Sequence, residues 1–312
     1  MRRPRWTERL GIDVGGGLRD RLRTGFWPRL PPWLRDRRVL LEGFVLSNLA
    51  FLTLDVYLAH AVNDFRDPLE WLPVAFAALG SAALVAVFAV RLARAGGSGV
   101  RLPQRLGFVV GWGSILVGVS GLLLHLEGRF FRELTLESLV YSAPFAAPLA
   151  FAGLGLLLLL NRMVPAESAD WGRWVVLLAL GGFIGNFALS LADHAQNGFF
   201  YAREWISVVA AAFAVGFLAV AVSGRPSRRY LLWCQGVMNL QVLVGLLGFW
   251  YHVAARSGDE SHLAAEGWIR ELVFGAPLFA PLLFADLALL AALGLWDLQV
   301  KAAAQAERKA AA

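Results

Sequence analysis

The stretch HAVNDFRDPLEW, residues 60–71, separates two strongly apolar blocks of the chain and recurs 134 residues later as HAQNGFFYAREW. Residues 60–75 and 194–209 are identical at seven of sixteen positions. A match of this kind inside one chain predicts an internal repeat. The shared residues are His60/His194, Ala61/Ala195, Asn63/Asn197, Phe65/Phe199, Glu70/Glu204, Trp71/Trp205 and Val74/Val208.

The apolar blocks on either side of these stretches predict an integral membrane protein. Over 312 residues the chain is 58% hydrophobic and only 17% charged, whereas soluble domains carry about 25% charged residues. The apolar residues are concentrated in blocks of about 20 residues, the length that an α-helix needs to cross a bilayer. Eight such blocks are predicted, at 39–60, 70–92, 106–126, 137–160, 174–194, 204–223, 230–253 and 269–296.

The distribution of positive charge predicts the orientation in the membrane. The N-terminal segment 1–38, the even-numbered connections and the C-terminal tail together hold 23 of the 29 Lys and Arg residues, and the odd-numbered connections hold six. By the positive-inside rule, both termini are expected in the cytoplasm of a bacterial-type inner membrane and residues 60–71 outside. The net charge of +6 is therefore explained by the orientation of the chain in a membrane, and no nucleic-acid partner is expected. Basic and aromatic residues interleave in 1–38, which fits either contact with an anionic leaflet or a flexible tail.

Two further matches extend the repeat across the chain. Residues 139–154 match 272–287 at ten of sixteen positions, and LVGVSGLLLH (116–125) matches LVGLLGFWYH (243–252). The prediction is a tandem duplicated four-helix unit with a pseudo-two-fold axis along the membrane normal. The predicted segments are a basic N-terminal segment (1–38), two four-helix repeats (39–162 and 174–298) and a cytoplasmic tail (299–312).

The polar residues retained in both copies predict metal ligands. His60 ends the first block and Glu70 begins the second, so their side chains can face one another across a helical hairpin, and His194 and Glu204 repeat this spacing. Imidazole and carboxylate from neighbouring helices are ligands for Fe, Mn, Zn or Cu. The alternative is that solvated interfacial residues were inherited from a common ancestor.

A second pattern, G-x-x-G-x-x-x-H, predicts either close helix packing or a haem site. The third block carries it as Gly118, Gly121 and His125, and the seventh as Gly245, Gly248 and His252. The glycines lie on the face of the helix that carries the histidine and leave a groove. A haem b lying there would take His125 or His252 as axial ligand, or both on one iron.

Prolines in the fourth and eighth blocks predict bends that free backbone carbonyls. The pairs Pro144/Pro148 and Pro277/Pro281 remove successive backbone donors, which leaves the carbonyls four residues earlier without helical partners. Those carbonyls are expected to bind an ion or a headgroup, or the bend simply shapes a cavity. They belong to Val140, Pro144, Val273 and Pro277.

Four histidines near the outer membrane surface favour electron transfer by a bound haem b or transition metal, with the quinone pool or a membrane or periplasmic redox protein as partner. A permease for a metal ion or small solute is the alternative, because duplicated units and broken helices are typical of transporters. A non-catalytic assembly subunit is a third possibility. With Cys234 as the only cysteine and no nucleotide-binding loop, neither an iron–sulfur cluster nor a nucleotide is expected.

Overall fold

The computed structural model of the chain is all-helical in the residues that it describes, which are 34, 36–93, 101–127, 129–140, 144–168, 170–196, 198–224, 226–256 and 277–311. The basic segment 1–38 lies almost wholly outside these residues. Ten α-helices are described. They are α1 (Arg37–Ala61), α2 (Trp71–Ala93), α3 (Arg101–Glu127), α4 (Phe130–Glu133), α5 (Leu136–Val140), α6 (Leu149–Met163), α7 (Asp170–Gln196), α8 (Trp205–Ser223), α9 (Arg228–Arg256) and α10 (Leu282–Ala311).

Seven of these helices are long and apolar enough to cross a membrane, which confirms the predicted class of multi-pass helical membrane protein. They are α1, α2, α3, α7, α8, α9 and α10. Helix α10 continues to Ala311, so the predicted boundary at residue 299 lies inside a helix and is not its end.

The fourth apolar block is divided and is not one continuous helix. It forms the single turn α5, a non-helical turn at 144–148 and the 15-residue helix α6. Pro144 and Pro148 cause this division, because neither can donate a helical hydrogen bond and each disfavours helical geometry in the residue before it. In the eighth block, a non-helical turn likewise ends at Pro281, and α10 begins at the next residue. The predicted start of this block, 269–276, lies outside the described residues.

Eight helices, the seven long ones and the shorter α6, pack as two groups of four with the same order of neighbours. In the first bundle, α1 packs against α2, α2 against α3, α3 against α6, and α6 against α1. In the second bundle, α7 packs against α8, α8 against α9, α9 against α10, and α10 against α7. The bundles meet where α6 contacts α7 and where α10 contacts α1. Each of these contacts joins the last helix of one bundle to the first helix of the other.

Buried ion pairs hold the helices together at the end of the bundles where α1 begins and α6 and α10 end. Glu42 and Arg162, which are 0% and 1% exposed, form an ion pair of 2.6 Å between α1 and α6. Asp297 on α10 is fully buried and pairs with both Arg37 and Lys301. A buried charge is stable only when it is paired, so these contacts fix how α1, α6 and α10 sit against one another.

Candidate functional site

The four histidines of the repeat lie in one layer at one end of the bundles. They lie near the C-terminal ends of α1, α3, α7 and α9. Contacts bring these ends together: the rings of His60 and His125 lie 6.4 Å apart, Gln196 of α7 bonds to Val140, and Arg203, in the connection after α7, lies over the ring of Tyr251 beside His252. All four imidazoles are half-buried. The layer consists of His60, His125, His194 and His252.

In the first bundle, the structure brings His60 and His125 together. Their ring centroids lie 6.4 Å apart. Helices α1 and α3 share α2 and α6 as neighbours and so lie diagonally across the bundle, which places both imidazoles toward its centre. Sequence reasoning placed His60 opposite Glu70 and missed this partner, because no local spacing relates residues 65 positions apart.

Backbone carbonyls fix the orientation of both imidazoles. His60 Nδ1 lies 2.9 Å from the carbonyl oxygen of Val56, and His125 Nδ1 lies 3.2 Å from that of Pro144. A carbonyl oxygen can only accept, so Nδ1 must carry the proton in each hydrogen bond. In the neutral imidazole, Nε2 therefore keeps its lone pair.

The second bundle repeats this arrangement. His252 Nδ1 donates to the carbonyl oxygen of Pro277 at 2.8 Å. His194 Nδ1 lies 3.9 Å from Glu204 Oε2, at ion-pair distance, as the hairpin spacing predicts. Arg203, in the connection that follows His194, lies over the ring of Tyr251, the residue before His252. Three of the four histidines thus donate from Nδ1 to a backbone carbonyl, and His194 has the Glu204 carboxylate at ion-pair distance.

The carbonyls that the prolines free are the ones that polar side chains use. Those of Pro144 and Pro277 accept from histidines, and that of Val140 accepts from Gln196 Nε2 at 2.5 Å. These carbonyls thus accept from side chains of this chain, and that of Pro144 also accepts from the amide of Ala147 at 3.1 Å. Binding of an ion or a headgroup by them stays a prediction. Val273 lies outside the described residues.

A strained turn explains why a Phe and a Trp recur at fixed positions in the repeated stretch. Phe65 and Phe199 both have positive φ, 49° and 50°, which non-glycine residues rarely adopt. Each directs its amide to the carbonyl of the histidine five residues earlier, His60 or His194, at 3.5 and 3.0 Å. Each phenyl ring stacks at 4.1 Å on the tryptophan six residues later and lies about 6 Å from that histidine. The Phe and Trp residues therefore support the imidazoles, a role that the sequence pattern did not reveal.

The four predicted cofactor glycines lie against the next helix of their own bundle. A Cβ at Gly118 would lie 2.5 Å from the amide nitrogen of Ala152, and one at Gly121 would lie 2.9 Å from Pro148 Cβ. At Gly245 and Gly248, a Cβ would come within 2.9 and 2.8 Å of Pro281. Close helix packing accounts for glycine at these positions, and their contact with a cofactor stays a prediction.

The two carboxylates beside the histidine layer, Glu70 and Glu204, differ in their partners. Oε2 of both Glu70 and Glu204 is buried without a hydrogen-bond partner among the described residues, although Glu204 has His194 at ion-pair distance. No group of three or more His, Cys, Asp or Glu side chains in the described ranges is placed to hold a metal ion. The layer thus offers pairs of imidazoles.

No protein-family model, curated protein or solved structure matches the chain. The assignment of a function therefore depends on the geometry of the histidine layer.

Proposed function

We propose that this chain is an eight-span inner-membrane protein that binds b-type haem or a transition metal at its histidine layer and transfers electrons at the outer face. The observation that carries the proposal is the hydrogen bond from Nδ1 of His60, His125 and His252 to a backbone carbonyl. Histidines that bind a metal through one ring nitrogen almost always direct the other toward a carbonyl or carboxylate. That contact fixes the tautomer and orients Nε2.

The spacing of the paired imidazoles supports a metal between them. With bonds of about 2.0–2.1 Å from each nitrogen, two imidazoles on opposite sides of one metal have ring centroids about 6 Å apart. The separation of 6.4 Å between His60 and His125 fits this value. Facing side chains in the core of a four-helix bundle are a common site for haem and metals.

Two imidazoles per site favour haem over a bare ion. The haem iron takes four nitrogens from its own macrocycle and needs only axial ligands from the protein, whereas a bare transition metal requires three or four protein ligands. If Glu70 or Glu204 also binds, each bundle supplies three ligands, the smaller number that a bare transition metal requires. A transition metal is therefore the second form of the same site.

The pairing also favours one site in each bundle over one iron shared by His125 and His252. His125 has His60 beside it, and in the second bundle the connection after His194 contacts the residue before His252. The repeated order of helix neighbours supports the duplicated unit and its pseudo-two-fold axis. Eight spans, with α5 and α6 together forming the fourth, would place both termini on one side, as the positive charges predict.

Cofactor content in histidine variants tests the number and ligands of the sites. His125→Ala and His252→Ala should each retain about half of the haem or metal, since each removes an axial ligand from one bundle only. The double variant should retain none. His262→Ala is the matched control, because His262 is outside the repeat. Complete loss in either single variant would instead show one shared iron, and full retention in the double variant would contradict the proposal.

A permease is the second candidate, and one observation favours it. The non-helical turn at 144–148 divides the fourth apolar block, and the one at 277–281 directly precedes α10. Transporters build their sites at breaks beside helix ends. Uptake of a metal ion into proteoliposomes by protein that lacks a stoichiometric cofactor would favour this function over electron transfer.

A further inference from the structure

Two polar side chains meet halfway along α1, in the seam where α1 of the first bundle contacts α10 of the second. Asn48 Nδ2 donates to Asp286 Oδ1 at 2.9 Å. Asn48 follows Arg37, the first residue of α1, by 11 residues and precedes Ala61, the last, by 13. At a rise of 1.5 Å per residue these separations are about 16 and 20 Å. The pair therefore lies near the membrane midplane and between the two repeats, which is where transporters bind their coupling ions.

Asp286 is a carboxyl group in a membrane-spanning helix that has no positively charged partner in the described part of the chain. It is half-buried, and Asn48 is the hydrogen-bond partner that these residues give it. An unpaired carboxylate in a membrane is costly, so such a group binds a proton or a cation. Hard metal cations take about six or more oxygen ligands, and no group of three or more His, Cys, Asp or Glu side chains is placed to hold a metal in the described ranges. A proton needs only one carboxyl oxygen and is the ligand that fits.

The polar pair has no counterpart at the equivalent contact between α6 and α7. The repeat has Gly182 in place of Asn48 and Gly153 in place of Asp286, so common ancestry does not explain the pair. A Cβ at Gly153 would meet nothing within 4 Å. Helices α6 and α7 thus join the bundles without a side chain at this position, and a polar pair is not required for packing.

A second carboxyl group, Asp55, lies nearer the outer end of the seam. It follows Asn48 by seven residues, which places it on the same face of α1 and about 10 Å farther out. The described residues give it no hydrogen-bond or ion-pair partner. Phe51 and Phe279 pack edge to face at 5.1 Å between the levels of Asp55 and Asp286. The two carboxyl groups therefore lie on opposite sides of an aromatic pair.

Ion pairs close the cytoplasmic end of the seam. Asp297 is fully buried and pairs with Arg37 and Lys301, about three turns of α10 from Asp286. A buried ion pair loses much stability when one partner changes its charge, so these groups are unsuited to exchanging protons. The way from Asp286 to water therefore leads outward.

The other helices that pack against the seam bring no titratable group to its centre. Helices α7 and α9, which pack against α10, carry such groups only in their first two and last two turns. Helices α2 and α6, which pack against α1, carry only an arginine in the last turn. At the outer ends of α7 and α9 the titratable and charged residues are Asp193, His194, Tyr251, His252 and Arg256.

We propose that Asp286 and Asn48 form a proton-binding site between the bundles, which exchanges with the outer surface through Asp55. This function goes beyond electron transfer and needs no cofactor. A hydronium ion at the outer surface gives its proton to the Asp55 carboxylate and leaves as water, and water in the seam carries the proton on to the Asp286 carboxylate. Only O–H bonds form and break, and no electron moves. Asn48 can donate to Oδ1 whether or not Oδ2 carries the proton, so it holds the group in both states.

Labelling with dicyclohexylcarbodiimide tests the binding site. This apolar reagent adds to protonated carboxyl groups within membranes, and mass spectrometry of peptides from the full-length protein locates the adduct. We expect labelling of Asp286 that increases as the pH falls and is lost in Asp286→Asn. Asp297 is the internal control, because its ion pairs with Arg37 and Lys301 keep it charged and unlabelled. Equal labelling of both residues, or none of Asp286 at any pH, would overturn the site.

Infrared spectroscopy of the protein in lipid vesicles tests the route. The C=O band of protonated Asp286, identified by its loss in Asp286→Asn, shifts when D₂O replaces H₂O. We expect Asp55→Asn to slow this shift by about 100-fold, the lower end of what a positioned proton donor contributes. Asp64→Asn is the matched control, because this carboxyl group is exposed in the turn after α1, and its rate should equal that of the wild type. An unchanged rate in Asp55→Asn would overturn the route.

The outcome for this site is separate from that for the histidine layer. Protein that contains no haem or metal would contradict the proposed electron transfer, and labelling of Asp286 in that same protein would still support proton binding. Protein that contains its cofactor but is not labelled at Asp286 would overturn the proton site alone.

Discussion

At the scale of single residues, the histidine layer is defined by where each Nδ1 points. Three histidines use a backbone carbonyl, and His194 uses the carboxylate of Glu204 at 3.9 Å. A carboxylate beside an imidazole increases the basicity of the ligand nitrogen. The two bundles should therefore respond differently when their glutamates are neutralised.

Glu204→Gln should weaken cofactor binding in the second bundle by about tenfold, the lower end of the effect of such supporting residues. Glu70→Gln is the matched change in the first bundle, where His60 bonds to Val56 instead, and it should have a smaller effect. Titration of the apoprotein with haem or metal measures both affinities. Equal losses in the two variants would show that Glu70 and Glu204 act alike.

The sequence identified the residues of the layer but not their partners. His60, His125, His194 and His252 stand out because each recurs in the repeat. Contact between His60 and His125 depends on how α1 and α3 are placed across the bundle, which no spacing within either helix encodes. The hydrogen bonds from His125 and His252 to Pro144 and Pro277 were not predicted either, because the carbonyls freed by the prolines were expected to bind an ion or a headgroup.

At the scale of secondary-structure elements, the glycines on α3 and α9 allow each of these helices to pack closely against the last helix of its bundle, α6 or α10. The breaks before α6 and α10 place Pro148 and Pro281 directly against these glycines. Hydropathy predicted the fourth block as one segment of 137–160, since apolar composition does not distinguish a continuous helix from a divided one. The division follows from the prolines, which the sequence marked as a bend.

Alanine at the glycine faces should destabilise the protein. Gly118→Ala and Gly245→Ala place a Cβ within 3.0 Å of backbone atoms of the next helix, and overpacking of this kind costs about 1–3 kcal/mol. Gly153→Ala is the control, since a Cβ there meets nothing within 4 Å. Thermal unfolding in detergent measures the effect. Unchanged stability in Gly118→Ala and Gly245→Ala would show that the helices can separate at no cost.

At the scale of the whole molecule, the helices form two bundles, and the charge distribution predicts one orientation in the membrane. The repeat in the sequence predicted two units of four helices, and the described helices pack with the same order of neighbours in each group. Their contact surface was not predictable, because the pair that joins α1 to α10 across the bundles, Arg37 with Asp297, has no counterpart at the repeat offset.

Cysteine labelling tests the orientation. In a variant with Cys234 replaced by Ala, cysteines at Arg66 and Phe200, both exposed in the turns after α1 and α7, should react with a membrane-impermeant maleimide from outside. A cysteine at Gln305 should react only after the membrane is made permeable. The reverse pattern would place the histidine layer at the cytoplasmic face.

The most direct test of the central claim is the visible absorption spectrum of the purified protein, as isolated and after dithionite, with metal analysis of the same sample. We expect a Soret band with sharp α and β bands on reduction, the spectrum of a b-type haem with two histidine ligands. A stoichiometric transition metal without those bands would identify the second form of the site. A colourless protein without stoichiometric metal would contradict the account.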